Sequence, residues 1–211
     1  ILRTCITQLK NEVFRRGYEW QQAFAVKCQD CQKEHNNTVE ECKGCGSPNL
    51  KKPDPQQKKY ADSFLHCEYV NEAEQMFIDV IKELEDDLNI MDDAYIVLVK
   101  EYFIDGNGNI RAHKIKEIYR ADPVTMAIFC DEDGDRGEGA YTCIYHRDLM
   151  FTEAHERCSV CSGETYPVYY INRGHGYEQH FIKGEVLHFS KYSPSRLYGT
   201  SPIITMWNHL T

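Results

Sequence analysis

Residues 71–126 read NEAEQMFIDVIKELEDDLNIMDDAYIVLVKEYFIDGNGNIRAHKIKEIYRADPVTM. Met76, Phe77, Val80, Ile81, Leu84 and Leu88 recur at steps of three and four, while Glu72, Glu74, Asp79, Glu83, Glu85 and Asp86 fall mostly on the other side. That period predicts an amphipathic helix over residues 71–91. From Ala94 to Ile104 the text becomes β-branched and aromatic, DGNGN at 105–109 is a turn, and IRAHKIKEIYR at 110–120 alternates well enough to pair back as a hairpin. A helix feeding a hairpin predicts an α+β fold with amphipathic helices and mainly antiparallel strands.

Downstream of Asp122-Pro123, short strands are expected around 125–130, 140–146, 166–171, 178–183 and 185–189. The loops between them include the acidic DEDGDRGEG at 131–139. The final stretch, 190–211, reads as a Ser/Pro/Gly loop leading into a helix capped by Ser201 with Pro202 at its first position. Upstream, Ile6, Leu9, Val13 and Phe14 predict a helix ending near Gly17. Between them lies VKCQDCQKEHNNTVEECKGCGSPNL, 26–50, which has no apolar stripe to bury, followed by KKPDPQQKKYADS, whose prolines and like charges predict an exposed linker. The expected organisation is therefore a helical segment 1–25, a small module 26–50, a linker 51–70, a helix and hairpin 71–130, a second module 131–184, and a strand, loop and helix start 185–211.

Composition bounds the function. The chain has 211 residues, 33 acidic against 24 basic, for a net charge of −9. Binding nucleic acid over the whole surface needs Lys and Arg to neutralise phosphates, so this balance argues against it. No apolar run approaches the roughly 18 residues of a membrane-spanning helix, and no signal-peptide layout opens the chain, so a soluble, unsecreted protein is expected. The absence of an initiator Met suggests that the natural chain begins earlier.

Six of the ten cysteines form three C-x-x-C pairs. Cys28-x2-Cys31-x10-Cys42-x2-Cys45 is the strongest local signal, because each pair presents two thiolates from one tight turn and four complete a tetrahedral zinc shell. Gly46 suits the sharp turn after the second knuckle. Cys143-x2-His146-x11-Cys158-x2-Cys161 repeats the design with one imidazole, with Cys130 or His155 as alternatives to His146. Both sets have closed shells, so two structural zinc ions are expected and no catalytic one. Cys5 and Cys67 read as core thiols.

Enzyme-like strings fail on spacing. His66-Cys67-Glu68 has the order of a zinc deaminase, but the pair at Cys158 lacks the preceding Pro. Asp105-x-Asn107-x-Asn109 opens like a calcium loop, yet Ile110 stands where Gly is required and Lys116 where the bidentate Glu belongs. There is no Walker loop, no G-x-S-x-G and no H-E-x-x-H, so neither catalytic nor cofactor-binding residues are assigned and no enzyme is expected.

The stretch 71–126 resembles the part of tailed-phage portal proteins in which a helix runs into a strand, a Gly/Asn turn, a return strand and an Asp-Pro segment. EVLHFSKYSPSRLYGTSPI, 185–203, is similar to the strand, loop and Ser-Pro helix entry that follows later in that family, and TCITQLKNEVFRRGYEW, 4–20, to the helix that begins its body. The three occur in the family's order, and the Cys-rich segments depart from it as insertions. The resemblance implies a portal-like wing and entry to the stem, carrying two zinc-ribbon modules. It implies a homo-oligomeric ring, commonly a dodecamer, at one capsid vertex of the virion, assembled in the host cytoplasm. Double-stranded DNA passes through such a channel during genome packaging and ejection, and terminase, head-completion or adaptor proteins and the major capsid protein dock on it. Two other classes compete: a zinc-ribbon nucleic-acid-binding module of a transcription or processing protein, and a metalloenzyme in which one ligand of the Cys143 set is water. Acidic Asp30, Glu34, Glu40 and Glu41 around the first knuckles offset Lys27, Lys33, Lys43, Lys51 and Lys52, which weighs against the former.

Overall fold

The computed structural model describes residues 23–67, 69–106, 109–154, 156–174, 176–191 and Tyr198. The helices expected at 1–17 and from Ser201 onward, and Cys5, lie outside these residues. Described residues up to Cys67 belong to one compact unit and those from Tyr69 onward to a second.

The first unit holds three short strands, β1 (Val26–Cys28), β2 (Glu34–His35) and β3 (Leu50–Lys51), and one helix, α1 (Pro55–Leu65). The strands form an antiparallel sheet in the order β2-β1-β3, with Val26 opposite His35 and Cys28 opposite Leu50. Helix α1 occupies the stretch expected to be a linker. Its prolines do not break it, because Pro55 is its first residue, where the missing N–H has no intrahelical partner to lose. Asp54 caps it: its carboxylate accepts the Gln56 N–H at 2.8 Å and its carbonyl accepts the Lys58 N–H at 3.3 Å.

In the second unit, α2 (Phe77–Ile90) is followed by β4 (Asp93–Ile104) and β5 (Ile110–Ala121). The hairpin is paired from Tyr95↔Ala121 to Ile104↔Ile110 with two bulges. Asp105 closes its turn, accepting the Asn109 N–H at 2.9 Å and pairing with Arg111 Nε at 2.7 Å, so its carboxylate is engaged within the hairpin. The helix starts six residues later than its apolar period suggests. Asn71 folds the chain first, its Oδ1 accepting the Ala73 and Gln75 N–H groups, while its Nδ2 reaches the Ile118 carbonyl of β5 at 3.0 Å.

Helix α2 buries Val80, Leu84 and Asp87, one face at i, i+4, i+7, and packs against β4 and β5. Asp87 lies in the apolar stripe because Arg120 of β5 meets it with two bonds, Nε to Oδ2 at 2.5 Å and Nη2 to Oδ1 at 2.7 Å. Burial pushes the Asp87 carboxyl above its ordinary value, and the Arg120 guanidinium pulls it only part of the way back.

The remaining strands are β6 (Met126–Ile128), β7 (Tyr141–Cys143), β8 (Thr165–Asn172), β9 (Gln179–Ile182) and β10 (Val186–Ser190). β6, β7 and β9 all pair antiparallel with the central β8. β10 returns to the hairpin sheet, giving the order β10-β4-β5. Tyr95, Val97, Ala121, Met126, Tyr170, Phe181 and Val186 form one buried cluster, so strands from both sheets share a core. The chain is thus α+β with mainly antiparallel strands, as the period-two and period-3.6 patterns predict. Among the described residues no helix is long and apolar enough to cross a membrane.

Candidate metal centres

In the first unit, β1 ends at Cys28 and the chain turns through Cys31 into β2; a second turn through Cys42 and Cys45 leads to β3, which pairs back on β1. Sheet pairing therefore brings the two turns together. Asp30 locks them, its carboxylate accepting from Ser47 Oγ and, at 3.2 Å, from Asn49 Nδ2. In the second unit, Cys143 ends β7 and His146 follows one turn later, while Cys158 and Cys161 precede β8. Because Cys143 pairs with Thr165 at the start of β8, the strand register carries one half-site to the other.

The three C-x-x-C turns share one closure. The N–H of the first cysteine donates to the carbonyl five residues on: Cys28 to Lys33 at 3.0 Å, Cys42 to Ser47 at 2.8 Å and Cys158 to Gly163 at 2.9 Å. The residue after the second cysteine is left-handed in all three, with φ of 61° at Gln32, 73° at Gly46 and 57° at Ser162. Gly46 supplies that conformation without steric cost, whereas Gln32 and Ser162 hold it against their side chains.

The donor atoms of Cys28, Cys31, Cys42 and Cys45 all lie within 4.8 Å of one another, and so do those of Cys143, His146, Cys158 and Cys161. Sulfur separations are 3.6 Å for Cys28–Cys45, 3.4 Å for Cys31–Cys42 and 3.6 Å for Cys143–Cys161. A disulfide would need about 2.0 Å. A tetrahedron with metal–sulfur bonds of about 2.3 Å has edges of about 3.8 Å, and a sulfur–nitrogen edge of about 3.5 Å. His146 Nδ1 stands 3.4 Å from Cys158 Sγ, close to that edge. The two sets are shaped for zinc, one as four thiolates and one as three thiolates and an imidazole.

The electrostatics point the same way. Burial would raise the Cys42 thiol, but N–H donors from Gly44 and Cys45, with His35 and Cys31, bring it down to about 5. Cys45 is pushed up to about 12: the Ser47 N–H favours its thiolate, but the neighbouring Cys31 and Cys28 sulfurs outweigh it. In the other set burial raises Cys143, while Cys158, also opposed by burial, is lowered to about 7 by the Cys161 and Val160 N–H groups. Sulfurs this close cannot all be anionic without a cation among them. Zinc supplies that charge, and four protein ligands leave no position open for substrate.

The eight sequence-nominated residues therefore meet in two groups. Cys130 and His66 belong to neither, nor does Cys67, and His155 lies outside the described residues. Asp131 of the acidic loop caps its own turn, accepting from Asp133 N at 3.0 Å and Asp135 N at 2.7 Å. The sequence reading missed His35. It is buried on β2 with its Nε2 3.4 Å from Cys42 Sγ, and a lone histidine within a polar stretch carried no spacing signal.

No family model and no curated protein matches the chain. Among solved structures it is similar to a chain in the neck of a native GTA particle computed with C12 symmetry, at 14% identity and a TM-score of 0.41, over 72% of this chain and 31% of that one. It is also similar to a chain in the neck of an empty GTA particle computed with C6 symmetry, at 14% identity and a TM-score of 0.43, over 99% of this chain and 38% of that one. The chain spans about a third of the length of these neighbours.

Proposed function

We propose that the chain is the wing and stem entrance of a portal-type ring subunit, a passive structural component of a virion whose two outgrowths are braced by zinc. The observation that carries this reading is the pairing of β10 with β4, Val186↔Val97 through Ser190↔Asp93. These strands belong to the two separated stretches, 71–126 and 185–203, that resemble portal proteins. They adjoin in one sheet although the second zinc module intervenes, as expected if that module is an insertion into an existing fold. The ring, commonly of twelve subunits, conducts double-stranded DNA during packaging and ejection and offers docking surfaces to terminase, adaptor and capsid proteins. A net charge of −9 suits a conduit in which a polyanion must slide. The closed ligand sets support a structural rather than an enzymatic role. Near the first knuckles, Lys27 is paired with Glu34 at 3.1 Å, so that lysine contributes little free positive charge for a nucleic-acid-binding ribbon.

Negative-stain imaging of the intact protein tests the reading: closed rings support it. A monomer that binds DNA with a steep salt dependence would favour the zinc-ribbon nucleic-acid module instead.

A further inference from the structure

His35 is 7% exposed, and its backbone is fixed by the sheet: Val26 pairs opposite it, and its carbonyl accepts the Ala25 N–H at 2.8 Å. Its Nε2 lies 3.4 Å from Cys42 Sγ. Yet His35 does not belong to the group whose donor atoms all lie within 4.8 Å of one another. It flanks one corner of the tetrahedron from outside. Cys42 is itself buried, and the Gly44 N–H donates to the same sulfur at 3.3 Å.

We propose that His35 is the outer-shell positioning residue of the first zinc centre, donating Nε2–H to the Cys42 thiolate. Four thiolates around one Zn²⁺ carry a net charge of −2, in contrast to −1 for the centre in which His146 replaces a thiolate. A centre of that charge needs donors to its sulfurs, above all where water cannot reach them. Cys42 meets both conditions, and beside the backbone N–H groups of Gly44 and Cys45, which no substitution removes, it has the imidazole of His35. The second centre achieves the same relief by taking its imidazole into the ligand shell. The same donor makes Cys42 a poorer nucleophile, because an N–H aimed at the sulfur lone pairs competes with an attacking reagent.

This inference rests on zinc occupying the first cluster, so zinc content of the intact protein is measured first. A protein without zinc at this cluster overturns that assignment and the inference with it, whereas a zinc-loaded protein isolates the role of His35. The variants are His35→Phe, which fills the space without a donor, and His35→Gln, which restores one. Zinc affinity from chelator competition should fall about 10–100-fold in His35→Phe and recover substantially in His35→Gln. Alkylation of Cys42, followed by peptide mass mapping, should accelerate in the same order. With Co²⁺ in place of zinc, the absorption of the four-sulfur chromophore should persist in both variants, since no ligand has been removed. Nitrogen NMR of the zinc-loaded wild-type protein, which needs no variant to fold, should find Nε2 of His35 protonated. A change of less than twofold in affinity and alkylation, an unprotonated Nε2, or a three-sulfur, one-nitrogen cobalt spectrum in the wild type would each overturn the proposal.

Discussion

Replacing Arg120 with alanine removes the partner that meets the Asp87 carboxylate with two short contacts, 2.5 and 2.7 Å, where α2 crosses β5. The Asp87 side chain is 8% exposed and that of Arg120 is 31% exposed. At an effective dielectric of about 20 the attraction amounts to about 4 kcal/mol before desolvation is counted. Removing one member of a buried pair costs about 3–5 kcal/mol, because the other is left charged in a poor solvent. Partial exposure of the guanidinium brings the expectation for Arg120→Ala down to about 2–3 kcal/mol at pH 7.

The loss also has a defined pH dependence. Asp87 already titrates above its ordinary 3.8, burial outweighing Arg120. Such a carboxyl holds its proton more tightly in the folded chain, so its contribution to stability falls as pH rises from about 3.8 through the folded value. Without Arg120 the folded value climbs further. The cost of the substitution should therefore be largest at neutral pH and shrink as the pH falls and Asp87 takes up a proton. Urea unfolding of both proteins across pH 4–8 measures this difference, in which zinc loss at low pH is common to both. The double variant Asp87→Leu, Arg120→Met should regain most of the stability. A loss under about 0.5 kcal/mol, or one equal at both ends of the range, would show that Arg120 does not hold the buried Asp87 carboxylate in its charged form.

The other expectations concern the modules and one close approach in the second unit. Cys42→Ser should abolish amide protection over 26–51 while leaving the β4–β5 hairpin protected; equal loss in both would contradict a locally folded zinc module. Gly137→Ala should destabilise by about 1–3 kcal/mol in thermal unfolding, for it forces a side chain onto a backbone at φ 85° and puts its Cβ 2.6 Å from the Tyr169 ring. Gly46→Ala meets no such neighbour, so only the left-handed strain of about 1–2 kcal/mol should appear, confined to the first unit.

What the sequence made legible was local. The 3.6-residue period located the buried face of α2 at Val80 and Leu84, and the turn text between two β-branched runs located the hairpin. Ligand spacing nominated the eight residues of the two metal centres, because a knuckle is a property of four consecutive residues. Longer-range effects were hidden. The burial of Asp87 beside Val80 and Leu84 could not be read from the period, because it depends on Arg120, 33 positions away. Helix α1 was obscured because proline density signals a linker unless one asks where each proline falls relative to a cap. The left-handed turns at Gln32 and Ser162 carry no glycine to announce them, and the role of His35 depends on a sheet register that no periodicity reveals.

Zinc-edge X-ray absorption on the purified protein, with metal content measured on the same sample, should find two zinc ions per chain and an average shell of 3.5 sulfurs and 0.5 nitrogen, from seven thiolates and one imidazole. Fewer than two zincs, or an oxygen ligand marking an open coordination position, would contradict two closed structural centres.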